Sequence, residues 1–373
     1  MRTTQKDIAA ALNLSLITVQ RAFNNSGYVS KEVKERIFAF AREVNYVPHK
    51  ASQVLKRHRI RRIVLISTTE PSYFWADIRT GIELAAGEIE PFDYSVEYVQ
   101  VPEPDAEGFL RALRSVVEAG VDALGFVHKW PSALGAATEL LEQRSVPYVT
   151  FNVDARGSSR LCHIGPDYRS GGRLAAEYLG KALFFQPRAS ILVIGTIEDE
   201  APARDAVSLG RLRWEGFQAV LAQHFPNVTA DILCLPSNLS DAEAERELAS
   251  IADSMGELPR AVYMTAPYNP AFIRTFERLD FDRFHSVLHD LDKTSFHCLE
   301  DHRLMAVVCQ NPILQGYDTV KVLERVLDSN APPSDIEVVH SLVFNANKEH
   351  YSNGRLAAAV NELAPAGSAG RRF

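Results

Sequence analysis

The stretch from Thr4 to Asn24, TQKDIAAALNLSLITVQRAFN, constrains this chain more than any other. Its apolar residues Ile8, Ala9, Leu12, Leu14, Val19, Ala22 and Phe23 are spaced to give one helix a buried face, break it near Asn13, and give a second helix another. Ala9 is small where two crossing helices approach, Asn13 tolerates the left-handed conformation of a tight turn, and Ser15 offers a hydroxyl to the free amides of the next helix. The pattern predicts a helix-turn-helix. Its second helix projects Leu16, Ile17, Gln20 and Arg21 outward, where a DNA major groove would meet them.

Charge supports that reading. Residues 1–62 hold 13 Lys+Arg against 4 Asp+Glu, so the net charge of −7 divides into +9 for this segment and −16 for the remainder. A basic head on an acidic body is the footprint of a nucleic-acid binder whose body does not lie on the polymer. At 373 residues the chain is long enough for a small module and one or two larger α/β lobes. No apolar run approaches the ~20 residues needed to span a bilayer, and the N-terminus is polar, so a cytoplasmic protein with no membrane partner is expected.

Ser30 with Val33, Ile37, Phe38 and Ala41 reads as a capped amphipathic helix closing a three-helix core over residues 1–47. Residues 48–62 form a short basic segment poor in apolar partners, helical only marginally on its own. From Ile63 the texture changes to short β-branched runs, IVLIS, SVEYVQV, ALGFVH, YVTFNV, CHIG, SILVIG, ILCLP, AVYMT, SVLHDL and MAVVCQ, alternating with helical patterns. That alternation specifies parallel sheets with right-handed crossovers, enough for two doubly wound lobes. Residues 346–373 end in an Ala/Pro/Gly-rich tail with nothing to bury and no leucine heptads, so a dimer is expected rather than a tetramer.

The run from Lys6 to Lys56 resembles the N-terminal module of the lactose-repressor (LacI) family of bacterial transcriptional regulators, including the Asn45-Tyr46-Val47-Pro48 approach to a hinge. The resemblance implies a homodimer on a near-palindromic operator, contacted by Ser15, Leu16, Ile17, Thr18, Gln20, Arg21 and Asn24 from the head. It further implies contacts from Tyr46, His49, Lys50, Ser52, Leu55 and Lys56, with Leu55 as a minor-groove wedge. Leu16 and Ile17 stand at positions often polar in relatives. They can read only thymine methyls or shape, which leaves hydrogen bonds to Gln20 and Arg21.

Residues 63–345 resemble the periplasmic-binding-protein fold of sugar receptors and LacI-type sensors, and QNPILQG resembles its ribose-type branch. The chain in that fold crosses between lobes three times, which places lobe one at about 63–160 plus 311–330 and lobe two at about 161–310 plus 331–345. The resemblance implies a sugar or polyol held in the crevice by Phe74, Trp75, Asn152, Arg213, Asn269, Asp290 and Gln310, with Arg211 as a surface competitor of Arg213. Asn152 replaces a usual aspartate, Val153 a frequent arginine, and Ala266-Pro267 a usual Asn-Asp pair, so Asn269 and Asp154 are substitute donor and acceptor and the ligand is an uncommon one.

Cys162, Cys234, Cys298 and Cys309 are widely spaced, and reduced, buried thiols are expected. His285, His289, His297 and His302 lack the spacing of a metal site. No phosphate loop, Ser-His-Asp set or nucleotide fingerprint is visible, so no cofactor, metal or catalysis is expected. The competing reading is a cytoplasmic sugar-binding receptor without a gene-regulatory role.

Overall fold

The computed structural model describes residues 4–24, 28–44, 59–102, 105–195, 209–234, 242–243, 246–247, 250, 259–265, 285–329 and 333–351. The head contains α1 (Gln5–Leu12), α2 (Leu16–Asn24) and α3 (Lys31–Glu43). Thr4 and Asp7 form a reciprocal cap on α1: the Asp7 amide donates to Thr4 Oγ1 at 3.3 Å and the Thr4 amide to the Asp7 carboxylate at 2.8 Å. Asn13 ends α1 in the left-handed region at φ 52°, and the Thr18 amide donates to Ser15 Oγ at 3.0 Å. Ile8, Ala9, Val19, Ala22, Ile37 and Ala41 are buried between the three helices.

Phe38, expected in that core, is 37% exposed and meets Phe23 edge-on at 5.4 Å. Phe40 packs against the core instead. Helical rotation explains the exchange: position 40 follows 37 by three residues and stays on its stripe, whereas 38 is turned away by about 100°.

The sensor contains two six-stranded sheets. One has the order β11 (Ile336–Glu337), β5 (His163–Gly165), β4 (Tyr148–Phe151), β3 (Ala123–Phe126), β1 (Arg61–Thr68), β2 (Tyr94–Val101). The other runs β12 (Ser341–Val343), β10 (Ala306–Cys309), β9 (His285–His289), β8 (Ala261–Met264), β6 (Ala189–Gly195), β7 (Val228–Cys234). β12 is antiparallel to β10, while β1 and β3, β3 and β4, β6 and β8, and β9 and β10 pair in parallel.

Two lobe boundaries differ from expectation. His163–Gly165, assigned above to lobe two, pairs with β4 in the first sheet, and Ile336–Glu337, likewise assigned to lobe two, pairs with β5. A strand this short carries a pattern that says strand but not which sheet, because both sheets bury both faces.

Helices α4 (Ser72–Ile89), α5 (Ala106–Glu118), α6 (Leu134–Gln143) and α10 (Pro312–Asp328) belong with the first sheet. Val64, Ile66, Leu124 and Phe126 pack against Phe109, Leu113 and Leu141 on one face, and Gly125 lies under Thr319 and Leu323 on the other. Helices α7 (Tyr168–Ala182), α8 (Leu209–His224) and α9 (Lys293–Glu300) serve the second sheet. Val193, Tyr263 and Val287 meet Leu179, Phe217 and Leu221, while Leu192, Val262 and Leu288 meet Cys298 and Leu299. Each fully buried aliphatic side chain of this kind contributes about 1.5–3 kcal/mol.

Both lobes use the same helix crossing. A Cβ on Gly172 of α7 would stand 1.8 Å from the Arg213 carbonyl oxygen, and one on Gly216 of α8 would stand 2.1 Å from that of Arg169. In the first lobe Gly81 of α4 and Gly316 of α10 stand in the same relation to Ile313 and Ile78, at 1.9 and 2.1 Å. Backbone therefore touches backbone, and no side chain fits between.

Cys162, Cys298 and Cys309 are buried thiols outside any disulfide, but Cys234, expected to be buried, is exposed at the end of β7. Among the described residues no helix is long and apolar enough to cross a membrane.

Candidate functional site

In the head, Leu16, Ile17 and Arg21 are exposed on α2, with Ile17 at 59%, while Gln20 and Thr18 are half-buried. Ser15 is exposed, but its hydroxyl is engaged with Thr18, by the amide and by the Thr18 hydroxyl at 2.8 Å. Burying Val19 and Ala22 in the head core forces the intervening positions outward, so α2 offers a short apolar and cationic surface. Tyr46, His49, Lys50, Ser52, Leu55 and Lys56 lie outside the described residues, as does the side chain of Asn24.

In the sensor, the strand ends bring several expected residues together. Asn152 follows β4, Asp290 follows β9 and Asn311 opens α10 two residues beyond β10, and all three have positive φ, at 59°, 67° and 51°. Asn and Asp enter this left-handed region more readily than other non-glycine residues. The turn that ends each strand thus also points a short polar side chain into the loop region where α/β sheets bind ligands.

Arg213, Asp290 and Gln310 form one buried cluster, with exposures of 4, 6 and 4%. Gln310 Nε2 donates to Asp290 Oδ1 at 2.8 Å, and Arg213 Nη2 stands 4.0 Å from Asp290 Oδ2. Arg213 Nη1 donates to the Thr265 carbonyl, and its guanidinium lies over the Tyr168 ring at 5.4 Å. Arg213 Nε and Gln310 Oε1 are buried without a hydrogen-bond partner, which is costly unless something else supplies one. Burial pushes the Asp290 carboxyl up, against the opposing pull of Arg213 and Gln310.

Asn152 joins this cluster indirectly: its Nδ2 donates to Gln315 Oε1 at 3.0 Å, and Gln315 Nε2 donates to the Gln310 carbonyl at 2.8 Å. Asn152, Tyr168 and Leu212 also line a cleft of about 980 Å³, together with His128 and Asp154. Asp154, considered above as a substitute acceptor, is engaged by Arg160 at 2.9 Å and Thr150 at 3.1 Å, and Arg160 also holds Asp335 at 2.8 Å. Asn269 lies outside the described residues, and Arg211 is an exposed partner of Glu215.

The aromatic pair divides. Phe74 lines a small recess with Tyr73 and Asp290, whereas Trp75 is packed edge-on to Phe151 at 6.4 Å with its indole N–H on the Glu70 carbonyl at 2.8 Å. Trp75 is 2% exposed. Adjacent residues on a helix cannot send their rings the same way, since successive residues turn by about 100°.

Sequence reasoning missed Tyr168, Asp77 and the buried pair His289 and His340. Asp77 follows Tyr73 by one helical turn, and that spacing was the available signal. His289 Nε2 meets the Tyr263 hydroxyl at 2.7 Å; burial, Arg213 and His340 hold its pKa well down, and burial with Arg213 lowers His340 to about 4. Both rings are neutral at ordinary pH. Among the described residues no group of three or more His, Cys, Asp or Glu could hold a metal ion.

Burial first, then neighbouring Asp290, raises the Asp77 carboxyl from 3.8 to about 7. A raised folded-state pKa means that the contribution of Asp77 to stability is fully present below 3.8 and is lost as pH rises to about 7. Asp77→Asn removes that cost. The variant is expected to be more stable than the parent at pH 8 by about 1–3 kcal/mol, with the gain shrinking toward pH 4. Urea unfolding across this range checks it, and a pH-independent difference contradicts it.

Residues 4–49 match the family described as bacterial regulatory proteins, lacI family, and residues 63–331 match a periplasmic binding protein domain. The ribose operon repressor of Haemophilus influenzae is 34% identical over 80 residues, 21% of this chain and 24% of that one. The sucrose operon repressor of Pediococcus pentosaceus is 26% identical over 253 residues, 67% of this chain and 70% of that one. The chain spans less than two thirds of several of the curated relatives it matches, 24% of the Haemophilus influenzae and 63% of the Escherichia coli ribose operon repressor. In fold, AraP, an arabinose binding protein from Geobacillus stearothermophilus, superposes with a TM-score of 0.67 at 17% identity, covering 78% of this chain and 99% of that one.

Proposed function

The chain belongs to the lacI family of bacterial regulatory proteins by its head and to the periplasmic binding protein family by its sensor, and from that premise we propose that it is a transcriptional repressor whose operator affinity is set by a small sugar or polyol. One observation carries the reading: a helix-turn-helix exposing Ile17 and Arg21 is joined to a sensor whose Arg213 and Gln310 keep buried, unpartnered polar atoms. The operator is near-palindromic, read by a cytoplasmic homodimer. Leu55, outside the described residues, wedges the minor groove.

Ligand in the crevice rotates the lobes about the three crossings and thereby weakens or strengthens operator binding through the segments 48–62. Arg21→Ala is expected to weaken specific operator binding by about 1–3 kcal/mol while leaving effector binding intact. Mobility shifts with genomic fragments, with and without a panel of sugars, test both halves. Binding of sugar with no sequence-specific DNA binding would leave only a receptor.

A further inference from the structure

The recess beneath the start of α4 is more acidic than neutral hydroxyls require. Asp77 and Asp290 both line it, with Tyr73 and Phe74. Asp290 is more than nine-tenths buried, and its Oδ2, 4.0 Å from the Arg213 guanidinium, is beyond hydrogen-bond distance. Among the described residues the Tyr73 hydroxyl is buried without a partner, and burial and Asp290 are what act on the Asp77 carboxyl. Asp292 adds negative field at Tyr73 and Asp290. Against these carboxylates the described residues set one guanidinium, that of Arg213.

A buried excess of carboxylate is stabilised by a cation, and here no three metal-type ligands gather among the described residues. The recess has room for about one water-sized group. An ammonium matches both its size and its acceptors. It carries three N–H donors and no acceptor; among the described residues the Tyr73 hydroxyl has no partner, no hydrogen bond reaches the Asp77 carboxyl, and Asp290 Oδ2 has Arg213 only at 4.0 Å, so three acceptors face the recess. A ligand hydroxyl has one donor and leaves two of the three unmet.

We propose that the effector of this crevice carries an ammonium group, as an amino sugar or aminocyclitol does, seated between Asp77 and Asp290. The inference rests on the crevice being a polyol site, and the test separates the two. The full-length protein is titrated calorimetrically with D-glucosamine and D-glucose, D-galactosamine and D-galactose, D-mannosamine and D-mannose, and with D-ribose and myo-inositol as further neutral ligands. Titrations are run at pH 6 in two buffers of different ionisation enthalpy.

At that pH Asp77 is protonated in the free protein, and a bound ammonium drives it to ionise. The expected result is one amine bound at least about tenfold more tightly than its hydroxyl partner, with release of close to one proton. Asp77→Asn is expected to remove the preference. The proton release on the unmodified protein is a second readout that does not depend on the variant. Equal affinities within every pair that binds, binding by neutral sugars only, or a preference without proton release would each overturn the amine assignment while the polyol reading stands. Binding by none of the ligands overturns both.

Discussion

Arg213→Ala is expected to abolish effector binding and to cost the sensor about 3–5 kcal/mol of stability. Arg213 is 4% exposed, and its guanidinium serves the Thr265 carbonyl, the Tyr168 ring and the Asp290 carboxylate. Truncation leaves the Asp290 carboxylate buried with Gln310 as its single hydrogen-bond partner among the described residues. The Asp290 carboxyl, already raised by burial and held back by Arg213, rises further. The loss is therefore larger at pH 8 than at pH 5, because ionised Asp290 is the species left uncompensated. Arg213→Lys keeps the charge but not the planar fork, and is expected to recover stability ahead of effector binding. Urea unfolding at the two pH values, with thermal shift in the presence of effector, gives the answer; an alanine variant with parental stability would show that the cluster is solvated.

Gly172→Ala is expected to destabilise the second lobe by about 3 kcal/mol, with a loss of effector affinity although residue 172 does not line the crevice. The added Cβ would stand 1.8 Å from the carbonyl oxygen of Arg213 itself. Helices α7 and α8 must separate, and the backbone that presents the guanidinium moves with α8. Gly87→Ala is the control: it lies on α4, a methyl there would meet nothing within 4 Å, and the change is expected to stabilise by about 0.4–1 kcal/mol. If both glycines respond alike, helix propensity rather than the crossing governs the result.

Much of the fold was legible because its signals are local. The turn at Asn13, the cap at Ser15 and the apolar stripe through Ile8 and Val19 lie within a few residues of one another, and each agrees with the structure. Each β-branched run from IVLIS to MAVVCQ overlaps a strand. Sheet membership was not legible for β11, whose partner β5 lies more than a hundred residues earlier, nor for β5, which is three residues long and fits either sheet by pattern although its other neighbour, β4, is close in sequence. Within the site, Arg213, Asp290 and Gln310 come together as the motifs implied, whereas Trp75 turns into the core and Asp154 is held by Arg160. Those two outcomes are set by helix rotation and by the competing guanidinium at position 160, neither of which a strand-end motif reveals. Asp77 was missed for the opposite reason: an acidic residue in a helix reads as solvated face until the opposite lobe brings Asp290 to it.

The left-handed backbone at Asn152, Asp290 and Asn311 limits how the chemistry of the crevice can drift over generations. A β-branched or large residue at any of the three adds about 1–2 kcal/mol of steric cost before ligand is considered. Substitution there is therefore confined to a short alphabet of amide, carboxylate or bare glycine backbone. A lineage acquiring a new effector would keep those three tips nearly fixed in kind and vary the helix positions that face them, Tyr73, Phe74 and Asp77 among them. Sequence divergence between regulators of different effectors should accordingly concentrate on the first turns of α4, where selection is free to write, and spare the strand tips, where backbone geometry has already narrowed the choice.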